Sequence, residues 1–267
     1  MTNSYVFDQA WQKERDRLGA LESLFDPSSR RLVSDLGVGP GWRCLEVGCG
    51  AGSIARWLAD AVGGDGHVLA TDLDTRFLAG HGRANLEVRT HNAVTDPLDE
   101  AGFDLIHART VLIHLPDREE VLKRLVAALR PGGWLLIEDV DFGGPTAGTL
   151  AQYVTAPPPA PEAAERIYRG LAALFTAVGA DPCYGSRLTG TLADAGLAGV
   201  GAEVHTPLVR GGTEQWTRGT VEQLAPRLVG SGFATEADIE LFMAFTADPG
   251  TFYVAPLMIS AWGQRPV

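Results

Sequence analysis

Cysteine is scarce in this chain: Cys44, Cys49 and Cys183 are the only three in 267 residues, too few and too scattered for a disulfide framework. None forms a CxxC or Cys/His ligand pair, so no metal site is expected. Excess positive charge is also lacking. The formal net charge of −11 repels a phosphate backbone, and nucleic-acid binding draws most of its affinity from cations that release counterions. DNA and RNA are therefore excluded as expected partners, and a small-molecule substrate fits better. No uninterrupted apolar run approaches the roughly 20 residues needed to cross a bilayer. The polar, aromatic N-terminus has no signal-peptide pattern, so the expectation is a cytoplasmic protein without a membrane partner. Internal repeats are missing, and the one low-complexity stretch, residues 156–161, has stiff prolines that suit a spacer.

What is present points to an α/β enzyme. Apolar content of 45% in 267 residues supports a sizeable core, and the length suits one domain with insertions. In Leu45-Glu46-Val47-Gly48-Cys49-Gly50-Ala51-Gly52-Ser53, an acid and three alternate glycines sit where an apolar strand gives way to a helix. Glycines permit a tight turn and close backbone approach to a ligand, and the helix that follows offers unpaired N–H groups at its positive end. A second strand, Val68-Leu69-Ala70-Thr71-Asp72, ends in an acid about twenty residues farther on, the separation at which a carboxylate meets a ribose diol. Leu86 to Ala93 reads as a third strand and Phe103 to Arg109 as a fourth. A Pro131-Gly132-Gly133 turn leads into a fifth strand that runs to Glu138. Strands alternating with helices give βαβ units, hence a parallel sheet covered on both faces, with ligands beyond the carboxyl ends of its strands.

Around this core the pattern is looser. Residues 8–24 read as an amphipathic helix stopped by Pro27, residues 31–36 as another helix ended by Gly37-Val38-Gly39-Pro40-Gly41. Gly143-Gly144-Pro145 and Pro157-Pro158-Pro159 bracket flexible or extended chain, followed by an Ala-rich helix over 162–178. A sixth strand is expected over 200–209, helices over 213–246 and a closing strand over 253–262.

Ser53 replaces the third glycine of a dinucleotide fingerprint, and Glu46 lies inside the strand; together with the ordered strands and the Pro-Gly-Gly turn, these features resemble class I S-adenosylmethionine-dependent methyltransferases, of the kind common in actinobacterial secondary metabolism. The resemblance is strong over residues 30–142. It implies a Rossmann-like, doubly wound, mostly parallel seven-stranded sheet with an antiparallel closing strand and helical cap insertions. The whole chain then forms one methyltransferase domain: a helical lid (1–30), a cofactor-binding core (31–142), a cap (143–185) and the rest of the sheet (186–267) with a helical insertion at about 211–249. S-adenosylmethionine is the implied cofactor and S-adenosylhomocysteine the product, the methyl passing to an O, N or C nucleophile of a small metabolite by in-line displacement, in which positioning supplies much of the catalysis.

The resemblance assigns Glu46, Gly48, Cys49, Gly50 and Gly52 to the cofactor cradle, Asp72 with neighbouring Leu73 to the ribose, and Asn92 with Ala93 to adenine. Asn92 stands where many relatives carry aspartate; its amide oxygen accepts the same hydrogen bond without the charge. Arg109 and Thr110, at the end of the fourth strand, line the methionine end and the substrate mouth. Tyr5, Trp11 and Arg17 are candidates for a lid, with Tyr5 and Arg17 toward cofactor and Trp11 toward substrate; Trp216 is a candidate substrate wall. His114 is a candidate general base, with Asp139 and Asp141 as alternative proton acceptors. Each has a structural alternative: Glu46 and Asp72 as caps, Arg109 in a surface ion pair, His114 and the aromatics as packing residues. Three rival functions stay open: a cofactor-binding cyclase or rearrangement enzyme, a nicotinamide-dependent oxidoreductase, and a ligand-sensing module. A homo-oligomer is also open.

Overall fold

The structure, a computed structural model, describes residues 6–7, 13–98 and 102–267. Nine strands are described: β1 (Arg43–Val47), β2 (His67–Asp72), β3 (Leu86–Thr90), β4 (Phe103–Arg109), β5 (Leu129–Asp141), β6 (Ala198–His205), β7 (Leu208–Arg210), β8 (Phe252–Val254) and β9 (Leu257–Gln264). The helices are α1 (Glu14–Asp35), α2 (Ser53–Val62), α3 (Arg118–Ala128), α4 (Gly144–Gln152), α5 (Ala160–Ala177), α6 (Leu188–Asp194), α7 (Trp216–Gly230) and α8 (Glu236–Ala247).

Seven strands form one sheet in the order β3-β2-β1-β4-β5-β9-β6, mostly parallel with β9 as the antiparallel closing strand. The inner strands β1, β2 and β4 are buried over most of their length, as parallel strands covered on both faces must be, whereas edge strand β3 is largely half-buried or exposed. On one face Ile54, Leu58 and Val62 of α2 and Leu32 and Val33 of α1 join a core with Cys44, Val68 and Leu105. Strand order reverses at β1, which pairs with β2 on one side and β4 on the other. That reversal opens the ligand crevice of open α/β sheets, and the glycine run begins at its rim.

The chain divides into two compact units. One, residues 25–139, 184–204 and 259–267, holds most of the sheet. The other comprises 1–24, 140–183 and 205–258 and gathers the segments outside the βαβ rhythm. Its helices α5, α7 and α8 pack on one another, and its core is a set of edge-on aromatic pairs: Phe142 with Phe175, Phe242 with Phe245, and Tyr253 with Phe245, at centroid separations of 5.0, 5.0 and 6.1 Å.

Several expected boundaries shift. Pro27 lies inside a continuous α1 instead of ending it, and the hydroxyls of Ser28 and Ser29 both donate to the Phe25 carbonyl at 2.8 and 3.1 Å. The third strand stops at Thr90, leaving His91, Asn92 and Ala93 in the turn beyond. The strand expected over 200–209 is broken by Pro207 into β6 and β7, and the closing strand by Pro256 into β8 and β9, because proline offers no N–H to a ladder. The short pieces pair antiparallel as a separate ribbon, Leu208 opposite Val254. Gly144-Pro145 opens helix α4 where flexible chain was expected, with proline in the first turn, where no N–H is missed.

The Pro131-Gly132-Gly133 turn has a packing reason. Gly132 adopts φ +76°, and a Cβ on Gly133 would lie 2.7 Å from the Phe103 carbonyl oxygen and 3.0 Å from that of Arg130. Backbone atoms cannot swing aside, so Gly133→Ala is expected to destabilise the protein by about 1 to 3 kcal/mol. Urea unfolding measures this. An unchanged midpoint would mean that the irregular β4–β5 pairing there absorbs a methyl group freely.

Candidate functional site

The turn after β1 is tied to β2 by its backbone. The Thr71 carbonyl accepts N–H bonds from Gly48 (2.8 Å) and Cys49 (2.9 Å), and Gly52 N–H closes the loop onto the Cys49 carbonyl at 2.8 Å. Gly48, Gly50 and Gly52 have φ of +69°, +53° and +87°, a region that disfavours any side chain. At Gly48 a Cβ would also meet Val111 Cγ2 at 2.3 Å, and at Gly52 Leu78 Cδ2 at 2.2 Å. The chain's own packing therefore demands two of these glycines whether or not a ligand approaches. Ser53, in place of the fingerprint's third glycine, donates to Asp26 Oδ1 at 2.9 Å and so anchors the start of α2 to α1.

Asp72 ends β2 directly beside this loop. Its Oδ2 accepts Gly50 N–H at 2.8 Å and its Oδ1 accepts Asp74 N–H at 3.0 Å. Burial raises its pKa against the lowering effect of these bonds. The carboxylate is thus both loop anchor and local cap, with lone pairs to spare for further donors. Leu73 beside it is 45% exposed, an apolar surface at the rim of the crevice. Beyond β3, the Asn92 side-chain oxygen accepts Val94 N–H at 2.9 Å and the Asn92 N–H donates to Asp96 at 2.8 Å. Arg124 of α3 secures the same turn by donating to the carbonyls of Ala93 (2.5 Å), Val94 (3.0 Å) and Asp96 (3.2 Å). Nothing in the sequence singled out Arg124, since an arginine in an amphipathic helix reads as surface.

At the end of β4, Arg109 is buried and faces α1: it donates to Ser29 Oγ and Asp26 Oδ1, both at 2.9 Å. The ion pair weighed as the structural alternative for Arg109 is present, but with the buried Asp26 and not with a surface acid. Thr110 takes φ +54°, the sole positive φ outside glycine among the described residues, and such strain clusters at functional sites. A short turn, Leu112–His114, follows, with His114 half-buried. Asp139 of β5 is fully buried and accepts the Ile113 N–H at 3.2 Å, so it holds that turn. Desolvation pushes its pKa well above the usual carboxylate range.

The largest departure from expectation lies one pleat below the glycines. Glu46 is buried in β1, and its Oε2 lies 2.7 Å from His107 Nδ1 on β4, its register partner. His107 Nε2 lies 2.8 Å from Glu138 Oε2 on β5, and Glu138 Oε1 accepts the Ser260 hydroxyl of β9 at 2.5 Å. Four side chains on four neighbouring strands form one buried polar row. Burial alone would strip the proton from His107, but the two carboxylates prevail and raise its pKa to about 9. Burial would likewise raise Glu138; bonds to His107, the Arg109 charge and Ser260 reverse this and lower it to about 2. At Glu46 burial wins, so its pKa is raised.

Glu46, Gly48, Cys49, Gly50, Gly52, Asp72, Leu73, Asn92, Ala93, Arg109, Thr110, His114 and Asp139 all belong to the sheet-bearing unit, on β1, β2, β4, β5 and the turns after β1 to β4. Arg17, Asp141 and Trp216 belong to the other unit. There Arg17 forks onto Glu14 with bonds of 2.8 and 2.6 Å and lies 4.1 Å over the Phe7 ring, and Trp216 is buried at the start of α7. Asp141, buried, ends β5. Tyr5 and Trp11 lie outside the described residues.

Residues 45–135, from the acid-glycine run through the Pro-Gly-Gly turn, match the family model described as "Methyltransferase domain". Over these residues the chain is similar to a methyltransferase domain. Methyltransferase str2 of Strobilurus tenacellus is 35% identical over 176 residues, covering 64% of this chain and 59% of the relative. Methyltransferase GfsG of Streptomyces halstedii is 32% identical over 136 residues, 48% of this chain and 47% of the relative. The chain thus spans about half the length of these curated relatives. Among solved structures, Haemonchus contortus phosphoethanolamine N-methyltransferase 2 in complex with S-adenosyl-L-methionine aligns at TM-score 0.63 and 15% identity, over 100% of this chain and 61% of that one. The YcgJ protein of Bacillus subtilis aligns at TM-score 0.57 and 16% identity, over 91% and 99%. At these identities the structures bear on the fold alone. No helix among the described residues is long and apolar enough to cross a membrane.

The buried row gives the sheet-bearing unit a defined pH response. His107, raised from 6.5 to about 9, contributes stability that is complete below 6.5 and lost as pH climbs through 9. Glu138, lowered from 4.5 to about 2, contributes stability present above 4.5 and lost as pH falls toward 2. Glu46, raised from 4.5, contributes stability that is complete below 4.5 and lost as pH rises through its folded value. Urea unfolding across pH is expected to give a maximum between these limbs, and His107→Gln to remove the basic limb. A wild-type curve that stays flat through pH 9 would contradict the charge assignment.

Proposed function

We propose that this chain is an S-adenosylmethionine-dependent methyltransferase acting on an oxygen, nitrogen or carbon nucleophile of a small molecule. The observation that carries the reading is Asp72, held at the rim of the strand-order reversal by the N–H of Gly50 in the glycine turn. It is an acid with unsatisfied acceptor capacity and a burial-raised pKa, the chemistry that a ribose diol relieves by donating two hydrogen bonds. The cofactor fits this cradle: Gly48, Gly50 and Gly52 leave no Cβ in the way, the first turn of α2 offers N–H groups, and Asn92 with the Ala93 backbone offers polar edges beyond β3. Glu46 supplies negative charge beneath the turn.

When bound, S-adenosylmethionine supplies an electrophilic methyl group on a sulfonium. The chain's own residues then hold and exclude. Asp72 fixes one end of the ligand, and the strained Thr110 with the Leu112–His114 turn presents side chains at the ends of β4 and β5. Asp139 acts as a positioning residue through the Ile113 N–H, and His114 is the candidate to take a proton from the nucleophile.

Two measurements test this. Methyl-labelled cofactor incubated with candidate small-molecule acceptors should pass label to product and yield S-adenosylhomocysteine; turnover without label transfer would favour cyclisation or rearrangement. Asp72→Ala should weaken cofactor binding in calorimetry by about 1 to 3 kcal/mol, the range for losing a charged acceptor. Unchanged affinity would remove Asp72 from the ribose seat.

A further inference from the structure

The turn beyond β3, residues 91–96, begins directly beside Asp72: Thr90 is the register partner of Asp72, and the His91 N–H donates to the Asp72 carbonyl at 2.8 Å. Within the turn nearly every oxygen is already engaged. The Asn92 carbonyl accepts the Asp96 N–H at 2.9 Å, and the Asn92 side-chain oxygen accepts the Val94 N–H at 2.9 Å. The Asp96 carboxylate accepts the Asn92 N–H at 2.8 Å and the Thr95 hydroxyl at 3.0 Å. The carbonyls of Ala93, Val94 and Asp96 all accept from Arg124 of α3. No carboxylate pairs with Arg124 among the described residues, so its hydrogen bonds go to this one turn. Behind the turn lies a cavity of about 20 Å³, bordered by Val47, Ala93, Asp96, Val121 and Leu125. That is room for about one water, so close packing does not brace the turn from this side. The guanidinium does.

These bonds decide which polar groups the turn shows to a ligand. A trans peptide is planar, with its C=O and N–H on opposite sides. Because the Asn92 carbonyl turns inward to the Asp96 N–H, the N–H of Ala93 turns outward, and it has no acceptor among the described residues. The N–H groups of the Asn92 side chain have none either, while the oxygen of that amide is bonded to Val94. The three carbonyls that would offer acceptors beside them are drawn toward α3. The half-buried face left for a ligand is therefore one of N–H donors, which suits a bare ring nitrogen and repels a ring N–H. We propose that Arg124 is a positioning residue that sets base selectivity. By holding the carbonyls of Ala93, Val94 and Asp96, it keeps the Ala93 N–H aimed at the bare ring nitrogen beside adenine's amino group. A purine that carries a hydrogen at that nitrogen, such as hypoxanthine, meets donor against donor and is turned away. Arg124 touches no ligand itself and acts through the turn. Without it three carbonyls lose their donor, the turn relaxes toward other partners, and donor and acceptor edges are no longer sorted.

The inference rests on the proposed cofactor reading, and the test separates the two. Isothermal titration calorimetry compares S-adenosylhomocysteine with S-inosylhomocysteine, which carries hypoxanthine and differs only at the base edge. The wild-type chain is expected to bind the adenine form at least about tenfold more tightly, the penalty for setting a ring N–H against a fixed N–H. In Arg124→Met, which keeps an apolar stem and removes the donors, the ratio should fall to about threefold or less. Arg124→Lys, with the charge but without the fork, should fall between the two. A brace that served stability alone would weaken both ligands equally, so an unchanged ratio in the folded variants would overturn the inference. A wild-type chain that binds both forms alike would overturn it too, with no variant needing to fold and with the cofactor reading left intact. Binding of neither form would overturn the cofactor reading and the inference with it.

Discussion

A protonated imidazole held between two carboxylates inside a parallel sheet constrains everything above it. Hydrogen bonds of 2.7 and 2.8 Å link His107 to Glu46 and Glu138, and Ser260 completes the line across β1, β4, β5 and β9. Isolated, each of these groups would be prohibitively costly to bury; joined, each satisfies its neighbour. The arrangement works only in one register, because a slip of one residue between β1 and β4 would turn Glu46 and His107 to opposite faces. The row thereby fixes where β1 ends, and with it where the glycine turn begins.

From that point the site is built by ties between neighbours. The Thr71 carbonyl holds the turn to β2, Asp72 grips Gly50, and Asp26 of α1 collects Ser53 of α2 and Arg109 of β4. Asp139 fixes the turn that carries His114. A rigid scaffold of this kind suits the proposed methyl transfer, whose main demand is alignment, since in-line displacement needs nucleophile, carbon and leaving group held collinear. The second unit, with its aromatic core of Phe142, Phe175, Phe242, Phe245 and Tyr253, has its own packing logic and its own buried ion pair, Arg17 with Glu14.

Much of this was legible in the sequence because it is local. Acid, glycines and helix follow one another within nine residues, and Asp72 and the Pro-Gly-Gly turn sit at strand ends that apolar runs make visible. The buried row was not legible, because His107 and Glu138 each appear as a single polar residue in an apolar strand, and pattern alone says nothing about which strands lie side by side. Asp26 was hidden for a related reason: Pro27 reads as a helix stop, which placed Asp26 in a loop instead of on a helix facing Arg109. Two proline-broken strands were read as continuous because hydrophobicity runs across Pro207 and Pro256. Gly48 and Gly52 carried two meanings at once, since Val111 and Leu78 require them as strictly as a ligand does.

The charge of His107 is the quantity on which the account turns, and nitrogen-15 NMR of the imidazole reads it directly. Protein labelled at the histidine ring nitrogens, with His107 assigned by comparison with His107→Gln, should give two equivalent-type protonated nitrogen signals at neutral pH that convert to a neutral ring only as pH approaches about 9. A His107 ring already neutral at pH 7, with one protonated and one bare nitrogen, would contradict it.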